Sequence, residues 1–222
     1  MTQRSPELPR LARRRELAQL ASDRSGVFTA AAARTIGMAP SSLAYHSRTG
    51  TIERLGHGVY RLADFPSSPR EPLIAAAAAL GKDAVVSHES ALQLYDVSDV
   101  APSRLHFTIP RSRRYVTVPA ADVDLHTTTR PFAPGEVVQH EGFSATSLAR
   151  SIIDAARVHT APEQIVMAVR EGLRSGLLTR RDLERTMQKA PARVRALVEE
   201  GLSSDADSSV HHDKGIRNGS EG

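Results

Sequence analysis

The chain has 222 residues, 40 % of them hydrophobic, with 29 basic and 25 acidic side chains and no cysteine. That length suits one or two domains able to bury a core without staples. The missing cysteines exclude structural disulfides, thiolate zinc sites, Cys nucleophiles and iron–sulfur clusters. The net charge of +4 is unevenly spread: residues 1–70 hold eleven Arg against five acids, net +6, and the remainder holds 18 bases against 20 acids, net −2. A step of this kind points to an anion-binding N-terminal module.

The first predicted element is a helix over Arg13 to Ser22, with Leu17, Leu20 and Ala21 on one face. Thr29 suits the N-cap of a second helix, Ala30 to Ile36, and Gly37 suits a helix stop with positive φ. Pro40 fits the first turn of a third, Ser41 to Thr49, which Gly50 ends. Thr51 to Leu55 and Val59 to Leu62 then flank Gly56-His57-Gly58, the pattern of a hairpin.

Helix, helix, tight turn, helix and hairpin is the order of a winged helix-turn-helix. In that arrangement the third helix can enter the major groove while the hairpin reaches the backbone or minor groove. Leu43 is the inward residue of the third helix, so Ser41, Ser42, Tyr45 and Arg48 are the candidate base and phosphate contacts. Arg54 and His57 lie on the wing, and Arg13, Arg14 and Arg15 are the candidate phosphate neutralisers near the first helix. A three-helix unit with a hairpin can also serve as a protein-interaction module without sequence-specific DNA binding.

Asp64 to Pro72 holds three prolines and two serines where the charge changes sign, and a domain boundary is expected there. The expected division is a DNA-binding module over 1–64 and a second domain over 71–202. A polar tail over 203–222 is expected to be disordered. The fold class expected is α+β, with a mixed, helix-rich second domain. Within it, Pro72 to Leu80 reads as an Ala-rich helix, and Ser87 as the N-cap of another that buries Ala91, Leu92 and Tyr95. Leu105 to Pro110 and Val123 to Thr127 alternate like half-buried strands. Ser147, Thr160 and Thr179 read as N-caps of later helices, with Glu163 and Asp182 at capping-box spacing.

Chemistry-bearing motifs are sparse. Ser87-His88-Glu89 are adjacent, whereas a triad is assembled from distant segments, so Ser87 reads as a cap. Asp122, Asp124 and His126 alternate on one strand and could hold Mg²⁺ or Mn²⁺ in a divergent nuclease or nucleotidyltransferase. The Gly-Ser helix start such a transferase needs is absent, because residues 105–121 contain no glycine. None of the three lysines follows a carboxylate by two residues, and no Gly-rich phosphate loop or helical His pair occurs. No enzyme, cofactor or metal is therefore expected. The longest apolar run, Leu73 to Leu80, is too short to cross a membrane. The Arg-rich start leads to Glu16 and Gln19 rather than an apolar block, so a cytoplasmic location is expected.

Val27-Phe-Thr through Gly37, and Gly50-Thr-Ile-Glu-Arg-Leu-Gly-His-Gly-Val-Tyr-Arg-Leu62, resemble the winged helix of AbiEi-type antitoxins of abortive-infection toxin–antitoxin systems. Val85 to Leu92, Leu105 to Pro110, Asp124 to His126 and Thr146 to Ala155 resemble that family's C-terminal half in the same order. The resemblance implies a transcriptional autorepressor that binds inverted repeats of double-stranded DNA in its own promoter. A homodimer on DNA is one arrangement that would suit such a site, and the sequence leaves the oligomeric state open. The resemblance also implies a functional link to a nucleotidyltransferase-like toxin. One departure is His46-Ser47, on the inward face of the third helix, where an aliphatic residue is expected.

Overall fold

A computed structural model describes residues 7–116 and 122–212, with side chains described over 14–116 and 122–203. Its described elements are a mixture of helices and two sheets. Helix α1 (Glu7–Ala21) is followed by strand β1 (Val27–Thr29), helices α2 (Ala30–Thr35) and α3 (Pro40–Arg48), and strands β2 (Ile52–Gly56) and β3 (Val59–Leu62). The local chemistry explains these ends. The Thr29 hydroxyl accepts from the Ala32 amide at 3.1 Å, and Pro40 opens α3 where no intrahelical donor is needed. Gly37 and Gly50 follow α2 and α3 with φ of +77° and +72°, which side-chain-bearing residues rarely adopt.

Strand β3 lies between β1 and β2 in an antiparallel three-stranded sheet. Leu17, Ala21, Phe28, Leu43, Ile52 and Leu62 form its core, and the Phe28 and Tyr60 rings stack at 5.8 Å. This order of helices and strands is consistent with a winged helix-turn-helix.

The Pro-rich segment after β3 acts as a turn. It leads into α4 (Glu71–Leu80), which packs against β1 and β3. Residues 1–86 accordingly group into one compact unit with 107–131 and 139–145, so the expected break at 64–72 does not coincide with the division seen. The physical reason is apolar: five residues of α4, led by Ile74 and Leu80, are buried. Most of a second sheet belongs to the same unit. Its strands are β4 (Val85–Val86), β5 (Leu105–Pro110), β6 (Val123–Thr128), β7 (Val137–His140) and β8 (Phe143–Thr146), ordered β6-β5-β4-β8-β7. Strand β4 is antiparallel to β5 and parallel to β8.

The other unit, which among the described residues spans 87–106, 132–138 and 146–212, contains α5 (His88–Tyr95), α6 (Leu148–Arg157), α7 (Pro162–Arg174), α8 (Arg180–Met187) and α9 (Ala192–His212). Its core includes Leu92, Ile152, Ile153, Ile165, Val169, Leu183 and Val198. A Cβ at Gly201 would meet Val169 Cβ at 2.7 Å, so glycine sets the close approach of α7 and α9. Helix α9 runs to His212 although the polar composition from Ser203 predicts disorder. Once Val194 and Val198 anchor a helix, each added residue contributes a further hydrogen bond without a new nucleus. Residues 213–222 lie outside the described residues.

Three expected caps do not form: Ser147 holds the N-cap position of α6 without a side-chain bond to the helix, and the other two hydroxyls make other bonds. Ser87 precedes α5 without capping it; its Oγ lies 2.8 Å from His88 Nδ1. Thr160 donates to Glu89 Oε1 at 2.8 Å, and Ala161 holds the N-cap position of α7. Thr179 caps α8 as expected, accepting from the Asp182 amide.

A buried ion network crosses the helical unit. Arg150 Nε donates to Asp154 Oδ2 at 2.6 Å and its Nη1 to Glu136 Oε1 at 3.2 Å, with the guanidinium 5.3 Å from the Phe132 ring. Burial pushes the Asp154 carboxyl above the ordinary carboxylate value, against the opposing pull of Arg150. The folded protein thus binds a proton at Asp154 more tightly than the unfolded chain does. This group's contribution to stability therefore falls as pH rises from the ordinary carboxylate value through the raised one. Urea denaturation of wild type and Asp154→Asn from pH about 3.5 to about 7 checks this, with the wild-type advantage expected to shrink as pH rises.

Candidate nucleic-acid interface

Helix α3 divides into two faces. Leu43 is buried, and His46 and Ser47 are half-buried on the same inward side. The His46 ring meets Tyr45 edge-on at 5.4 Å. The imidazole thus lies on the inward side, where an aliphatic side chain is expected, and Leu43 is the buried residue of α3; of the four side chains expected outward, Ser42 is the one half-buried. Ser41, Tyr45 and Arg48 are exposed. Their spacing of four and three residues makes one stripe about 10 Å long on the outward face. Ser42 is half-buried and sits off that stripe. It lines a cleft of about 580 Å³ floored by Leu17, Met38, Ile52 and Leu62 and rimmed by Ser41, Tyr45 and His46.

The hairpin turn holds His57 exposed, with Gly58 at φ +69°. Pairing shifts register between Arg54 and Gly56, a bulge at the wing tip. Arg54 Nε donates to the Gly56 carbonyl at 3.2 Å, which fixes the direction of its guanidinium.

The charges sort cleanly. Helix α3 contains no acid, and each carboxylate between residues 40 and 64 is held by an arginine. Asp64 pairs with Arg14. Glu53 pairs with Arg61 at 2.5 Å. Among the described residues, Arg15, Arg48 and Arg54 face no carboxylate. Arg14 is therefore less available to an external anion than its sequence position suggests. The side chain of Arg13 lies outside the described residues.

Arg61 is the residue whose importance sequence reasoning missed. It is 8 % exposed on the central strand and reaches Glu71 of α4 at 2.9 Å as well as Glu53. The signal was present in the strand alternation, since Arg61 shares a face with buried Val59.

The metal reading of the second sheet gains no geometry. Asp124 and His126 lie on β6, but Asp122 falls in the turn before it. No group of three or more His, Cys, Asp or Glu suited to a metal ion occurs among the described residues. Nor is any described helix long and apolar enough to cross a membrane.

Residues 15–63 match the family described as "Transcriptional regulator, AbiEi antitoxin", a span covering α3 and the hairpin. No curated protein matches the chain. Its fold is similar to the crystal structure of the RV2827C protein from Mycobacterium tuberculosis. The TM-score is 0.58 at 18 % identity, over 84 % of this chain and 76 % of that one. At that identity the likeness is one of fold.

The two carboxylates of Arg61 set the place of the wing against α4. Glu71→Ala leaves the buried guanidinium with Glu53 alone and is expected to destabilise the protein by about 2–3 kcal/mol. This is below the full range for a broken buried pair, because one partner remains. Chemical denaturation followed by circular dichroism measures it.

Proposed function

We propose that this protein is a DNA-binding autorepressor of the antitoxin type, reading an inverted-repeat operator with α3 and the wing of a winged helix. The observation that carries the reading is the outward stripe of α3. Ser41, Tyr45 and Arg48 project from one face with no acid among them, on the segment that matches the transcriptional-regulator family.

The roles follow from chemistry. Arg48 carries a planar fork of donors suited to the paired acceptors of a guanine edge, and Ser41 a hydroxyl suited to base or phosphate. Tyr45, 53 % exposed, offers an apolar ring edge to a thymine methyl and a hydroxyl to a phosphate. Arg54 and His57 on the wing, and Arg15 on α1, supply backbone contacts that position the helix and carry no sequence information. Two copies on the two halves of an inverted repeat would match the symmetry of the site. Neutralisation of a nucleotidyltransferase-like toxin belongs to the same proposal and rests on the family resemblance.

Footprinting of the region upstream of the reading frame tests it, with protection of an inverted repeat expected at low salt. Arg48→Ala should weaken operator binding by about 1–3 kcal/mol and relax preference at one base pair. Arg54→Ala should weaken binding to all sequences alike and reduce the salt dependence by about one phosphate contact. No protection at low salt overturns the reading.

A further inference from the structure

After β5 the chain makes a short turn, Arg111–Arg113, followed by Arg114 and Tyr115. Arg113 is committed to the fold. Its Nη2 donates to the Leu80 carbonyl at the end of α4 at 2.6 Å, and its Nη1 lies 3.5 Å from Asp83. That anchor fixes the turn and leaves its neighbours outward. Arg111 and Arg114 are exposed and, among the described residues, face no carboxylate. Tyr115 is 82 % exposed, well above the other large hydrophobic side chains described as exposed. The Arg114 guanidinium sits over one face of its ring, 4.3 Å from the centroid, and its Nη1 donates to the Arg111 carbonyl at 3.4 Å.

We infer that the Arg111–Tyr115 turn is a binding site for single-stranded nucleic acid, separate from the duplex site on α3. Two guanidiniums that face no carboxylate among the described residues supply the backbone attraction, and an aromatic ring backed on one face by one of them leaves the other face for an unpaired base. In a duplex each base face is already covered by its neighbour, so the exposed ring has nothing there to stack on. An acidic protein surface would use the arginines and leave the ring without a partner. The combination of cation and open aromatic face therefore favours unpaired nucleotides over either alternative.

The test uses the full chain carrying Arg48→Ala and Arg54→Ala, so that the α3 site is weakened equally in every arm, and a fluorescent oligothymidylate of about 20 nucleotides. Tyr115→Leu should weaken binding of this strand by about 5- to 150-fold, the value of one base stack, and Tyr115→Phe should leave it unchanged. Arg111→Ala with Arg114→Ala should flatten its salt dependence. A random duplex of equal length should bind equally well to all variants at position 115. Equal binding of oligothymidylate by this double variant with and without Tyr115→Leu overturns the proposal, as does an equal loss on the duplex. Competition by polyglutamate that is as strong as competition by unlabelled strand also overturns it, in favour of an acidic protein partner. Because every arm shares the weakened α3 site and differs only in the turn, these outcomes are independent of operator binding.

Discussion

A buried guanidinium has to be paired, and that constraint organises the N-terminal half of this protein. Arg61 on the central strand is almost fully enclosed, and leaving its charge unmatched would cost several kcal/mol. Its partners come from both sides: Glu53 on the neighbouring wing strand and Glu71 on α4. The pairing ties the start of α4 to the central strand, alongside the apolar burial that packs α4 on the sheet. Glu53 and Asp64 are each drawn to an arginine of their own module. The arginines left over, on α3 and at the wing tip, make the outer surface cationic. Stability and charge display are thus two effects of one pairing scheme.

The same logic appears in the helical unit with a different balance. Arg150 is held between Glu136 and Asp154, yet burial dominates at Asp154 and raises its carboxyl. An exposed or half-exposed pair such as Arg14 with Asp64 avoids that penalty, because water still solvates both ends. Buried pairs set geometry here, and exposed ones mainly decide which arginines remain open to solvent.

Most of the N-terminal module could be read before any coordinates, because its signals are local. Thr29 caps, Pro40 opens, Gly37 and Gly50 close, and Gly58 turns; each acts within three or four residues. The strand Leu105 to Pro110 was legible for the same reason, through its alternation. Strands β1, β4, β7 and β8 were not, being two to four residues long. Such strands exist only through pairing with distant segments. Ser87 and Thr160 had the right side chains for caps, but His88 beside the one and Glu89, distant in the chain from the other, took their hydroxyls.

By itself, the sequence determined the ends of α2 and α3, the hairpin, the inward role of Leu43 and the basic character of the first 70 residues, because these depend on side-chain chemistry and short spacing. Tertiary structure decided where the chain divides, which arginines stay unpaired, and that Arg61 and Arg113 serve the fold while Arg48, Arg54, Arg111 and Arg114 face solvent. Charge is additive along a sequence, but its availability depends on which opposite charge the fold brings within reach. That distance is set by packing between segments far apart in the chain.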